Sequence, residues 1–156
     1  NFYGEKLYWQ IRRMVLDHDD ANDLLQNTFL KAWMNIDYFR GEAKLSTWLY
    51  KIAINECITF LNRQRMQNNV SIDDTDVFLL ECLKGDEYFD GDAAQMKLQK
   101  AILTLPEKQR AVFNMKYFDD MKYEDMSEIF GTSVGALKAS YHHAVKKVEE
   151  FLTKDI

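Results

Sequence analysis

Apolar residues recur along this chain at three- and four-residue intervals, and no sustained run alternates apolar with polar. That spacing predicts α-helices throughout and an all-α fold. One proline and six glycines leave few breaks. A first helix is expected over Glu5–Leu16, with Leu7, Ile11 and Met14 or Val15 turned inward. The polar break His18-Asp19-Asp20 then puts acids at the start of a second helix, where negative charge suits the unpaired amides. This helix is expected from about Ala21 to Tyr38, with Leu25, Phe29, Ala32, Trp33 and Ile36 as its inward stripe. Residues 39–46 read as a loop closed by Ser46 as N-cap, and a third helix follows from Thr47 to about Gln67. Further helices are expected near Ala93–Leu103, Glu107–Phe118, Tyr123–Phe130 and Val134–Leu152, with Pro106 at a helix start, where a missing amide costs nothing.

Two of these predicted helices have unusual polar faces. On the third, Leu49, Ile52, Ala53, Phe60 and Leu61 can pack inward. Trp48, Lys51, Asn55, Thr59 and Asn62 line another side, and Arg63 and Arg65 extend a basic end. An aromatic face beside cations suits single-stranded nucleic acid, since unstacked bases need a stacking surface and phosphates need charge. Phe39 and Arg40, in the preceding loop, are placed to help hold an extruded base. The competing assignment for Trp48 is the hydrophobic core. Near the C-terminus, Met126, Ile129 and Phe130 form a short apolar face before Gly131, which suits a helix end needing positive φ. Ser133 can cap the next helix, on which Leu137, Tyr141, Ala144 and Val148 stay apolar while Lys138, Ser140, His142 and His143 are polar. This pattern predicts a helix-turn-helix, whose second helix enters a major groove. An αα-hairpin in an ordinary bundle would share much of it.

Charge distribution divides the chain. The 156 residues carry a net charge of −5, which disfavours a nucleic-acid partner until it is resolved by segment. Residues 1–68 hold nine Lys/Arg against eight Asp/Glu, and residues 93–156 hold ten against nine. Residues 69–92 hold Lys84 alone against eight acids. The expected organisation is therefore two small helical domains, 1–68 and 93–156, joined by an acidic linker, 69–92, with the helix-turn-helix in the second domain. Fully extended, such a linker reaches roughly 80 Å. Within it, Val77-Phe-Leu-Leu80 is a short apolar patch.

Other chemistry finds little support. His142 and His143 are adjacent, so on a helix they diverge by about 100° and cannot chelate one ion together. His18 is far from both in sequence. No glycine-rich phosphate loop, nucleophile elbow or His-Glu-x-x-His occurs, so neither a cofactor, a metal nor enzymatic activity is expected. Cys57 and Cys82 are isolated, which fits a reducing, cytoplasmic compartment. No apolar run is long enough to insert in a membrane, and no leader with a cleavage site is expected. The sequence opens on Asn1 without Met, leaving room for a preceding segment.

Four stretches carry a family resemblance: Asp20-Ala-Asn-Asp-Leu-Leu-Gln-Asn-Thr-Phe-Leu-Lys-Ala-Trp33; Phe39-Arg-Gly-Glu-Ala-Lys-Leu-Ser-Thr-Trp-Leu-Tyr-Lys-Ile-Ala-Ile-Asn55; Leu105-Pro-Glu-Lys-Gln-Arg-Ala-Val-Phe113; and Tyr123-Glu-Asp-Met-Ser-Glu-Ile-Phe-Gly131. In this order they resemble the extracytoplasmic-function sigma factors of bacterial RNA polymerase. The resemblance implies a non-enzymatic factor that binds core RNA polymerase and confers promoter recognition, local melting and initiation. It makes Asp20, Asp23, Gln26, Asn27 and Lys31 candidates for the polymerase contact. Phe39, Arg40, Lys44, Trp48, Lys51, Asn55 and Arg63 become candidates for the melted, single-stranded edge of the bubble. The upstream duplex element falls to Lys138, Ser140, His142, His143, Lys146 and Lys147, although the family commonly shows more arginine on that helix. An anti-sigma factor is implied as a further partner, and the linker's position implies a path through polymerase channels that its acidity would suit. A stand-alone duplex-binding regulator would leave the first two stretches without purpose. A helical interaction module would need none of the DNA-facing residues.

Overall fold

The computed structural model describes residues 2–39, 44–68 and 93–154. Among them the chain forms α1 (Phe2–Val15), α2 (His18–Met34), a 3-10 turn (Ile36–Tyr38), α3 (Leu45–Asn68), α4 (Ala93–Leu103), α5 (Glu107–Tyr117), α6 (Tyr123–Phe130) and α7 (Val134–Thr153). The all-α expectation holds. Arg40 and the segment 69–92, with its Val77–Leu80 patch, lie outside the described residues.

The ends of α1 and α2 are set by local hydrogen bonds. Leu16 takes a left-handed conformation, φ +65°, which costs a non-glycine residue about 1–2 kcal/mol. Its amide donates to the Arg12 carbonyl at 2.8 Å, and the buried Arg12 guanidinium donates to the Leu16 carbonyl at 2.7 Å. The chain thus turns sharply without orphaning buried backbone. Asp17 caps α2 by accepting from the Asp20 amide at 3.0 Å. Asn35 ends it: its amide completes the last turn on the Lys31 carbonyl, its Nδ2 donates to the same carbonyl, and its backbone leaves helical geometry at φ −111° and ψ 15°.

The expected inward stripe is corrected in part: Leu25, Phe29 and Ala32 do pack on the core, whereas Trp33 and Ile36 do not. The buried face of α2 is Ala21, Leu24, Thr28 and Ala32. Trp33 lies one residue, about 100°, beyond Ala32 and is 76% exposed. Ile36 falls on the 3-10 turn instead of the helix and is exposed. The assignment of Ser46 as N-cap is likewise corrected. α3 begins at Leu45, and the Trp48 amide donates to the Lys44 carbonyl at 3.1 Å, placing Lys44 at the cap and Ser46 inside the helix.

α3 is the central element, packed by α1, α2, α5 and α6. Leu49, Ala53, Ile54, Cys57 and Leu61 are buried along it. A single hydrophobic core joins these to Leu7, Ile11, Met14 and Val15 of α1 and to Val112, Met115, Met126, Ile129 and Leu137 of α5–α7. A second cluster, built from Ala101, Ile102, Leu105, Phe113, Ala144 and Val148, belongs wholly to α4, α5, α7 and the α4–α5 connection. The two halves of the chain therefore share one core, and the C-terminal half has another of its own.

Polar contacts reinforce that junction. Buried Arg110 donates to the Met14 carbonyl at 3.5 Å. Asp119 accepts from Gln10 at 3.3 Å and pairs with Arg13 at 3.2 Å, while the Arg13 guanidinium lies 4.5 Å from the centre of the Phe118 ring. Arg65 pairs with Glu107 at 2.8 Å, and Lys44 with Asp125 at 3.6 Å.

Candidate nucleic-acid interface

The helix-turn-helix is built as its residues require. Gly131 has φ +68°, and its amide donates to the Ser127 carbonyl at 2.9 Å, closing α6. The Ser133 hydroxyl oxygen accepts from the Ala136 amide at 3.1 Å, opening α7. Met126 and Ile129 of α6 meet Leu137 of α7 in the shared core, which fixes the brace. Lys138, His142, His143, Lys146 and Lys147 are exposed along one side of α7, and Ser140 is half-buried. Lys138 Nζ lies 5.7 Å from the Tyr123 ring centre, and Lys147 Nζ donates to Gln109 Oε1 at 3.4 Å. The His142 and His143 rings are 6.1 Å apart and inclined at 61°. Among the described residues no group of His, Cys, Asp and Glu could hold a metal ion.

On α3, Lys51, Asn55, Thr59, Asn62 and Arg63 form an exposed row continuous with Lys44. Trp48 is half-buried: one face packs toward the core, and the ring lies 5.1 Å from that of Phe39, tilted by 35°. The choice between core and exposed aromatic thus resolves as both. Beside it a hollow of about 350 Å³ is walled by Lys31, Asn35 and Tyr38 of the α2 end and its turn, and by Trp48, Ile52, Asn55 and Glu56 of α3. Lys31 and Glu56 form an ion pair across its wall.

On α2, Asp23, Gln26, Asn27 and Lys31 are exposed, as is Asp19. Asp20 is half-buried, and its carboxyl is pushed up to about 6, first by desolvation and then by the neighbouring charges of Asp17 and Asp23. The same outward face carries Leu30 at 59% and Met34 at 71% exposure beside Trp33. Leu30 and Met34 were absent from the sequence-derived candidates. Their signal was present, since an i, i+3, i+4 apolar trio next to a separate buried stripe means a helix with two apolar faces. By contrast, Cys57 is fully buried, and burial pushes its thiol up to about 12, so it is not a reactive nucleophile.

A helix braced across a tight turn, with a separate aromatic–basic row, is the arrangement expected of a DNA-binding protein. The comparisons place it more narrowly. The family model "Sigma-70 region 2" matches residues 3–66, and "Sigma-70, region 4" matches residues 95–148. Among curated proteins, the RNA polymerase sigma factor SigV of Bacillus subtilis is 30% identical over 141 residues, 90% of this chain and 81% of that protein. The ECF RNA polymerase sigma factor SigW of the same organism is also 30% identical, over 91% of this chain and 80% of that protein. The fold matches the sigma factor RpoE solved with the anti-sigma factor NepR from Bartonella quintana, with a TM-score of 0.73 at 24% identity over 99% of this chain and 94% of that one. It also matches CnrH solved with the cytosolic domain of CnrY, with a TM-score of 0.69 at 19% identity over 99% of this chain and 84% of that one. The chain belongs to the extracytoplasmic-function sigma factors: it works with core RNA polymerase and directs it to promoter DNA. It is a transcription factor in kind, and none of its described helices is long and apolar enough to cross a membrane.

Proposed function

We propose that the three surfaces divide the work of initiation within a reducing, cytoplasmic setting, with 1–68 as the polymerase-binding and melting domain, 69–92 as linker and 93–156 as the upstream reader. The outward face of α2 docks on core polymerase through Asp20, Asp23, Gln26, Asn27 and Lys31, and Leu30, Trp33 and Met34 supply the apolar centre of that contact. The α3 row holds the upstream edge of the melted DNA, with Phe39, Arg40, Lys44, Lys51, Asn55 and Arg63 around Trp48. The hollow beside Trp48 receives an extruded base, whose lost stacking is replaced by the indole and whose edge meets Asn55 or Asn35. α7 reads the duplex element with Lys138 toward a guanine edge, while Ser140, His142, His143, Lys146 and Lys147 serve as further donors or phosphate anchors. An anti-sigma factor that covers these faces would hold the protein inactive.

The observation that supports this reading best is the hollow itself, because it opens between Trp48 and the exposed α3 row and leads back to α2. Forked promoter DNA carrying 2-aminopurine at the bubble edge, with purified core polymerase, tests it. The wild type should raise the fluorescence of a 2-aminopurine placed next to the extruded base, as that neighbour loses its stacking partner, and should support run-off transcripts. Trp48→Ala should weaken fork binding by about 1–3 kcal/mol, the worth of one stacked base. Equal fork binding and opening by Trp48→Ala and wild type would remove α3 from the melting role.

A further inference from the structure

Tyr123 opens α6, the helix that braces α7, and its half-buried ring gathers two cations. Lys116 Nζ lies 4.5 Å from the ring centre and Lys138 Nζ lies 5.7 Å from it. Both fall inside the roughly 6 Å within which a cation is drawn to the negative face of an aromatic ring. The two ammonium groups are held differently. Lys116 is the basic residue in the last turn of α5, and its ammonium also donates to the Met121 carbonyl at 3.0 Å and pairs with Asp120 at 3.6 Å. It therefore ties the ring to the turn between α5 and α6. That turn is narrowly defined. Asp120 takes a φ of +47°, and the amides of Asp120 and Met121 donate to the Lys116 and Met115 carbonyls at 3.1 and 3.2 Å.

Lys138 reaches the same ring from the other helix. It is exposed one turn into α7, and no carboxylate among the described residues pairs with it. The helix beneath it is fixed: Leu137 lies in the shared core, and the Tyr141 ring, one turn on, packs 5.8 Å from that of Phe113. Packing of α7 thus decides where the Lys138 side chain starts, and the Tyr123 ring acts on where it ends.

That end matters because lysine alone is a loose reader. Its ammonium is a point charge on a flexible four-carbon stem, without the planar fork of arginine. Fixing such a side chain on binding costs rotamer freedom. Little beside it could share the task, since Ala139 and Ser140 follow where an arginine would supply a fork. A ring at 5.7 Å narrows the range of the ammonium before DNA arrives. Its hold is weak enough to be exchanged for the O6 and N7 acceptors of guanine. A carboxylate in its place would hold the cation harder and face the DNA phosphates with like charge.

We propose that Tyr123 is a positioning residue for base readout, whose ring, anchored by Lys116, keeps the Lys138 ammonium in the arc from which it meets a guanine edge. The inference deepens the functional reading of Lys138 given above and rests on it. Tyr123 acts through Lys138 and needs no DNA contact of its own. Its contribution is to discrimination between bases, and the general attraction of phosphates is left unchanged.

The test uses the full chain. Duplexes selected from a random pool define the preferred upstream element, and each guanine in it is replaced in turn by 7-deazaguanine, which lacks the N7 acceptor. Competition binding gives the ratio of affinities for natural and substituted duplex. In the wild type that ratio should exceed one at a guanine where Lys138→Ala brings it to one. Position 123 is then filled with phenylalanine and with phenylalanines bearing one, two or three ring fluorines, which keep the ring and drain its negative face. Tyr123→Phe should retain the wild-type ratio. Fluorination should lower it stepwise, by about 2–5-fold in all, with affinity for the substituted duplex and helix content by circular dichroism unchanged. In a Lys138→Ala background the fluorines should change nothing. A ratio indifferent to fluorination overturns the inference, as does a loss shared equally by all duplexes. A Tyr123→Phe loss as large as that of the trifluorinated ring also overturns it, since the hydroxyl would then be the active group. Should Lys138→Ala leave every ratio unchanged, the functional assignment of Lys138 falls and this inference with it. Should Lys138→Ala erase a ratio that fluorination leaves intact, only the positioning role of Tyr123 falls.

Discussion

Asp20 shows how one side chain can serve two ends that conflict. Its amide is tied to Asp17 at the start of α2, while its carboxyl is half-buried among Asp17, Asp19 and Asp23. The helix N-terminus favours a negative charge there, yet desolvation and three neighbouring carboxylates outweigh it. Because the folded-state value is raised from 3.8 to about 6, the native state favours protonated Asp20. That contribution to stability is complete below pH 3.8 and is lost as pH rises through about 6. Asp20→Asn should therefore stabilise the fold at pH 7 and flatten the stability profile between pH 4 and 6, measured by urea denaturation. If the same carboxylate meets polymerase, the variant should also bind core enzyme more weakly. Stability and affinity would then move in opposite directions.

Lys138 is a simpler case. It stands one turn into α7, exposed and close to the Tyr123 ring. Lys138→Ala should cost about 1–3 kcal/mol on the preferred upstream element and relax base preference at one position. Competition between matched and altered duplexes checks this. A uniform loss across all sequences would make it a phosphate contact instead.

Elements were more legible in the sequence than the faces they present. The limits of α4 and α6 were read to the residue, and α5 and α7 within one, because Pro106, Gly131 and Ser133 punctuate the chain chemically. α2 was read three residues late at its start and four past its end, because Asn35 gives no strong stop signal in sequence, yet the backbone leaves helical geometry there. Trp33 lies inside the helix in either reading, and its i, i+4 spacing from Phe29 is what turned it inward on paper. In the fold it joins Leu30 and Met34 as an apolar strip on an otherwise polar helix face. Since Trp33 is mostly exposed, Leu30→Ser/Trp33→Ser should shift thermal stability little. Loss of two central anchors should weaken core-polymerase binding by about 2 kcal/mol or more. A pull-down titration with matched melting curves distinguishes a docking strip from a merely tolerated one.

At the scale of the molecule, the two-domain layout that charge segmentation suggested agrees with the separate region 2 and region 4 matches, but it did not foretell that the described residues also build a core shared by both. The reason lies in residues that periodicity marks only as apolar. Met115, Met126 and Leu137 are inward-facing in any helical reading, and nothing in their spacing says that they meet Leu7 and Met14 instead of one another alone. Met14 sits at that meeting point, with its carbonyl accepting from Arg110 and its sulfur near Asn114. Met14→Ala should cost about 2–5 kcal/mol, as for other large-to-small changes in a core. It should also lower amide protection in α5 as well as in α1, read by hydrogen exchange on the full chain. Protection lost in α1 alone would mean that the halves are thermodynamically independent.

The hollow beside Trp48 has walls from α2 and α3, the two helices that the proposed function assigns to different partners. A nucleotide seated there would stiffen the end of the helix offered to polymerase, and a seated polymerase would preform the nucleotide's walls. Linkage makes such help mutual: whatever factor the enzyme adds to strand capture, strand capture returns to enzyme retention. Once the bubble's edge slips out of that shared seat, the grip on the enzyme loosens by the same ratio, and departure of the factor needs no separate trigger.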